Sequence, residues 1–165
     1  MRLYLMRHAT SSAGEEGNRT AGGDTGLTPN GMTKARAAAH GLAELRVELT
    51  YLLTSPLARA VQTGEIAAHV LGLPSSQVRR TETLQPGSKP ALLVDEIARL
   101  EAEELLCVGH SPHLDDVIAN LLGCPSRITA LKKAAVACLQ LEPVSPPRGL
   151  LLWLYPQKTL RRLGR

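Results

Sequence analysis

The chain has 165 residues, 44% hydrophobic and 21% charged, enough apolar material for one domain with its own core and too much for a disordered or fibrous protein. Nineteen Lys and Arg against fifteen Asp and Glu leave a net charge of +4, and most of the cations are arginine, whose fork grips phosphate or carboxylate through paired hydrogen bonds. The absence of Phe, with one Trp and three Tyr, removes the stacking platform of a nucleic-acid module. No apolar run is long enough to cross a bilayer, and Met1 to Arg7 is too short for a secretory signal.

These features predict a cytoplasmic protein, a single domain over residues 1–165, with no nucleic-acid or membrane partner. Cys107, Cys124 and Cys138 are odd in number and lack CxxC spacing, so they predict reduced core residues rather than disulfides or a metal knuckle.

Leu3 to Met6 reads as a first buried strand. Ser11 to Gly26 is rich in Gly, Ser and Thr and reads as a long loop that could cover a site. Thr28-Pro29 supplies a hydroxyl cap and a first-turn proline for a helix through Ala35, Ala38, Ala39, Leu42 and Leu45. Tyr51 to Thr54 is a second strand. Ser55-Pro56 repeats the capping pair and opens a helix through Leu57, Val61, Ile66, Val70 and Leu71, stopped at Gly72 and Pro74.

Val78 to Thr81 reads as a third strand. The turn Gln85 to Ser88 leads to a helix through Leu92, Leu93, Ile97 and Leu100, and Glu104 to Gly109 is a fourth, strongly apolar strand. Ser111-Pro112 opens another helix, ending at Gly123. Ala134 to Leu141 and Gly149 to Tyr155, separated by a proline-rich turn, read as a hairpin that adds an antiparallel strand at one edge of the sheet. The final ten residues, with Arg161, Arg162 and Arg165, read as a basic surface tail. Strands alternating with helices predict an α/β fold with a mostly parallel sheet covered by helices.

His8 directly follows the first strand and His110 directly follows the fourth. Ligands of open α/β sheets bind outside the carboxyl ends of the strands, so both imidazoles enter one crevice if those strands are neighbours. Either histidine alone could be a half-exposed strand terminator. Arg59 lies in the first turns of a helix, where the macrodipole disfavours a cation unless an anion compensates. Its alternative is solvent or Glu65. With Arg7 beside His8, two arginines balance a phosphate dianion, a protonated His110 donates to it, and a neutral His8 attacks phosphorus.

Three segments carry a family likeness: Arg7-His8-Ala9, Ser55-Pro56-Leu57-Ala58-Arg59-Ala60-Val61-Gln62-Thr63 and Val108-Gly109-His110-Ser111-Pro112. Their order and spacing resemble the histidine phosphatase superfamily, which implies its phosphoglycerate mutase-like fold, a three-layer α/β/α sandwich with a mostly parallel sheet. Leu27 to Gly31 and Trp153 to Pro156 are similar to its SixA-type phosphohistidine phosphatase branch. The resemblance implies that His8 is the nucleophile, that Arg7 and Arg59 bind the phosphoryl oxygens, that His110 completes the pocket, and that no metal or other cofactor takes part. It also implies a phosphohistidine-bearing partner, such as a phosphotransfer domain. Ala9 stands where the family most often has glycine.

Glu82 is the nearby candidate for a proton donor to the leaving group, as in mutase-like members; the alternative is a solvated carboxylate. A small-molecule phosphomonoesterase or mutase using Glu82 is therefore a rival reading. A phosphoprotein-binding module with weak catalysis is another. His110 and His113 lack the companions of a metal site, Asp115 and Asp116 suit a helix dipole, and Arg127, Lys132 and Lys133 read as a solvated rim.

Overall fold

Six strands assemble into one sheet, in the spatial order Val78–Arg80, Tyr51–Thr54, Glu104–Gly109, Arg2–Arg7, Val136–Glu142 and Arg148–Tyr155. The computed structural model describes residues 1–12, 24–142 and 146–165. The strands are β1 (Arg2–Arg7), β2 (Tyr51–Thr54), β3 (Val78–Arg80), β4 (Glu104–Gly109), β5 (Val136–Glu142) and β6 (Arg148–Tyr155). The helices are α1 (Pro29–Glu44), α2 (Ala58–Val70), α3 (Pro90–Ala98), α4 (His113–Leu122) and α5 (Gln157–Leu163).

Period-two alternation explains the layering, because successive side chains of a strand face opposite sides of the sheet. Tyr4, Met6, Leu106 and Val108 pack with Ala35, Ala38 and Leu42 of α1, Ala60 and Ala67 of α2, and Leu160 of α5. Leu3, Leu5, Leu105 and Cys107 pack on the other face with Leu93 and Ile97 of α3 and Leu114, Val117 and Ile118 of α4. Both faces are covered, which is why the inner strands read as nearly continuous apolar runs.

β1 lies between β4, which it meets in parallel, and β5, which runs antiparallel to it. The antiparallel strand is thus one place in from the edge. The edge strand β6 reverses again against β5 and points the same way as β1. A hairpin appended to β1 must produce this order, since its first strand takes the pairing and its second is left outermost.

Only one of the three Ser/Thr-Pro pairs caps its helix as expected. Thr28 Oγ1 accepts from the Gly31 N–H at 3.0 Å, with Pro29 as first helical residue. A Cβ at Gly31 would overlap the Thr10 carbonyl oxygen, so glycine there lets α1 seat against the segment that leaves β1. α2 instead starts at Ala58 after Leu57, and α4 at His113 after Pro112, neither with a side-chain cap.

The expected basic tail is the helix α5. Its Leu160 is fully buried in the core shared with α1, and a Cβ at Gly41 would overlap the Leu160 carbonyl oxygen. Arginines occupy the outer side of this short helix, so its composition conceals a docking face of one leucine. Among the described residues no helix is long and apolar enough to cross a membrane.

Candidate active site

The pairing of β1 with β4 places Arg7 opposite Gly109, and the next residues along are the two histidines. The His8 N–H donates to the Gly109 carbonyl at 2.9 Å, and the imidazole centroids are 5.0 Å apart with planes at 56°. Nδ1 of His8 is 2.7 Å from the Ala9 carbonyl oxygen. A carbonyl only accepts, so this contact puts the ring hydrogen on Nδ1 and leaves the Nε2 lone pair available. His110 Nε2 lies 2.9 Å from Ser55 Oγ. If the hydroxyl donates, the His110 hydrogen sits on Nδ1 as a donor for an anion.

Ser55 reaches this position because β2 is the other neighbour of β4, its backbone N–H bonding the Val108 carbonyl at 2.9 Å. Its hydroxyl serves His110 and accepts weakly from Leu57 N–H at 3.4 Å. The terminal N–H of Ala58 is taken at 2.5 Å by Asp24 Oδ1. Thr63 ties the exit of β1 to α2: its hydroxyl accepts from Ala9 N–H at 3.1 Å and donates to the Arg59 carbonyl at 2.7 Å.

A cavity of about 290 Å³ gathers Arg7, His8, Ser11, Arg59, Pro86, His110, Ser111 and Lys133. Four of the sequence-derived candidates, Arg7, His8, Arg59 and His110, thus line one space with a third cation. A larger cavity of about 550 Å³ between α2 and β3 is lined by Glu65, His69, Arg80 and mostly apolar residues. Volume is a poor guide here. Paired imidazoles and arginines mark the smaller space as the one equipped for chemistry.

Glu82 is exposed in a short 3-10 turn, Glu82–Leu84, with its carboxylate bonded by the Gln85 amide, and it does not line this cavity. Lys133, read as a solvated rim, lines it instead. Ser111 caps nothing; its hydroxyl donates to the Leu131 carbonyl at 3.3 Å. Ser11 bridges Leu27 at one end of the expected 11–26 loop, most of which lies outside the described residues.

Burial dominates the protonation of both rings. It holds His8 down at about 4, aided by the charges of Arg59, Arg7 and Lys133 and opposed by the Ala9 hydrogen bond. It holds His110 down at about 3, with His8, Arg59, His113 and Arg7 adding to the effect. Both shifts favour neutral rings in the unliganded protein; the protonated His110 expected from the sequence belongs to the phosphate-bound site, where the anion raises its proton affinity. Arg7 is also shifted below its ordinary value by burial, against the opposing charge of Asp115.

A folded-state pKa below the unfolded one means that the unfolded chain binds protons more readily. The neutral rings thus contribute stability that is fully present above about 6.5, the ordinary histidine value, and is lost as pH falls through about 4 and 3. Urea midpoints measured across that range should fall with pH, and the slope should be shallower for His110→Gln. An unchanged slope in that variant would contradict the assignment.

The fold and site together define an α/β anion-handling protein that presents paired imidazoles and arginines at the carboxyl ends of its parallel strands. Residues 3–86 match the model of the histidine phosphatase superfamily (branch 1). The chain is 30% identical to phosphohistidine phosphatase SixA of Escherichia coli over 86% of each chain. It is 35% identical to a 2,3-bisphosphoglycerate-dependent phosphoglycerate mutase of Thermobifida fusca over 61% of this chain and 41% of that protein. A solved structure of the protein histidine phosphatase SixA complexed with tungstate superposes with a TM-score of 0.85 at 27% identity, covering 97% of this chain and 99% of that one.

The chain belongs to the histidine phosphatase superfamily. It is a phosphatase of the histidine-nucleophile type.

Proposed function

We propose that the enzyme removes the phosphoryl group from phosphohistidine on a partner protein, with His8 as the nucleophile. The observation that carries the reading is the convergence of His8, His110, Arg7 and Arg59 on one cavity. Tungstate, which the similar SixA structure holds, is a tetrahedral oxyanion like phosphate. Arg7 and Arg59 supply two positive charges for a dianion, and its arrival raises the proton affinity of the neighbouring imidazoles, so His110 becomes the better donor when phosphate is bound.

In the first step the P–N bond to the partner's imidazole breaks as a P–N bond to His8 Nε2 forms, and the departing ring takes up a proton from solvent. Water then cleaves phospho-His8, releasing inorganic phosphate and the neutral ring. An imidazole departs from phosphorus more readily than an alkoxide, so it asks less of an acid. The placement of Glu82, exposed and bonded to Gln85, suits a leaving group of that kind.

The likeness to a phosphoglycerate mutase supports a second reading, a small-molecule phosphomonoesterase or mutase with Glu82 as acid. Glu82 lies shortly before Pro86 in the chain, and Pro86 lines the cavity. The two readings separate on leaving group. With chelator present, a phosphohistidine protein or phosphoramidate should be cleaved with kcat/KM about 100-fold above that for an alkyl phosphate, and Glu82→Gln should alter neither. Faster cleavage of alkyl esters, reduced about 100-fold by Glu82→Gln, would favour the second reading.

A further inference from the structure

Asp115 is the only acidic side chain buried among the described residues, at 2% exposure. Burying a carboxylate is unfavourable unless hydrogen bonds or charge offset it. Its place in the first turn of α4 is not a sufficient reason, because Asp116 enjoys the same dipole from a far more exposed position. What distinguishes Asp115 is what it holds. Its Oδ1 accepts from Thr129 Oγ1 at 2.7 Å and from the Leu131 N–H at 2.9 Å.

Leu131 in turn offers its carbonyl to Arg7 Nη1 at 2.9 Å and to Ser111 Oγ at 3.3 Å. The N–H and C=O of one residue belong to different peptide planes on either side of its Cα. Leu131 is therefore gripped by Asp115 on one plane while it grips Arg7 with the other. A few residues on, the Ala134 N–H donates to the Arg7 carbonyl at 3.0 Å, strapping the same segment to the end of β1. Arg7 Nε is buried without a partner, so the Leu131 carbonyl is the anchor of its guanidinium.

We propose that Asp115 is a positioning residue for Arg7: through Leu131 it fixes the guanidinium where it meets a phosphoryl oxygen. The proposal rests on the reading that Arg7 binds the phosphoryl group, and the test separates the two. Inorganic phosphate is titrated calorimetrically into the native protein, Arg7→Ala, Asp115→Ala, Asp115→Asn and the Arg7→Ala/Asp115→Ala double variant.

Arg7→Ala should weaken phosphate binding, and Asp115→Ala should weaken it about tenfold. Asp115→Asn, whose amide oxygen can still accept both hydrogen bonds, should stay within about threefold of the native protein. The double variant should bind no worse than Arg7→Ala alone, a non-additivity that a general loss of structure would not produce. Native affinity in Asp115→Ala, or an undiminished tenfold loss in the Arg7→Ala background, overturns the proposal and leaves the reading of Arg7 intact. Native affinity in Arg7→Ala overturns both.

Should Asp115→Ala fail to fold, Thr129→Val removes one of the two donors that steady the carboxylate. It should lower affinity about threefold in the native background and not at all beside Arg7→Ala. Equal losses in both backgrounds count against the proposal.

Discussion

His8→Ala should abolish turnover while sparing the anion site: kcat falls by roughly 10⁴-fold or more, whereas affinity for inorganic phosphate stays within about threefold. The split follows from the division of labour in the cavity. Arg7 is anchored by Leu131 and Arg59 by its place in α2, so neither depends on the His8 ring for position. The ring contributes the lone pair on Nε2, set by the hydrogen bond of Nδ1 to Ala9. Rapid mixing of the native enzyme with a labelled phosphoramidate should place label on His8, in acid-labile and base-stable form, and the variant should carry none. Turnover in His8→Ala above about a tenth of the native rate would assign the nucleophile to another group.

That much of the site could be read before the fold was known because strand ends are marked twice in the sequence. A buried apolar run stops and polar residues follow, Arg7-His8 after the first strand's run and His110 after the fourth's, and the rule that ligands sit beyond the carboxyl ends of strands brings the two histidines together. Arg59 could be read because its helix position disfavours it. Ser55 was a different matter. The Ser-Pro pair has a sufficient local meaning as a cap, and only the pairing of β2 with β4 shows that the hydroxyl belongs to His110.

Lys133 had a usable signal in the hairpin. An antiparallel strand begins at the end of the sheet where the parallel strands finish, so the residues just before β5 had to return to the site. Asp115 had none, since first-turn carboxylates are common and what sets this one apart is tertiary burial. The helix α5 was hidden for a similar reason: seven residues with arginine on the outer side show little periodicity, and the burial of Leu160 depends on close approach at Gly41.

Arg59→Ala should move activity and stability in opposite directions. Arg59 is the second residue of α2, at the positive end of the helix dipole, and it is half-buried beside Arg7 and Lys133 in the cavity. In the unliganded protein this arrangement costs a few tenths of a kcal/mol or more, only partly offset by the Asp24 carboxylate on the neighbouring Ala58 N–H. Removing the guanidinium relieves that strain, so Tm should rise slightly. The same removal takes one of the cations from the cavity in which, on the proposed reading, the phosphoryl group is held, and kcat/KM should fall by roughly 10² to 10³-fold. Arg59→Lys should recover only part of the loss, because a point charge replaces a fork that can hold two oxygens at once. Phosphate completes the argument through linkage. It should raise the Tm of the native enzyme well above that of Arg59→Ala at the same concentration, reversing their order in its absence. A variant that loses activity together with stability, and keeps the native response to phosphate, would show that Arg59 supports the fold rather than the anion.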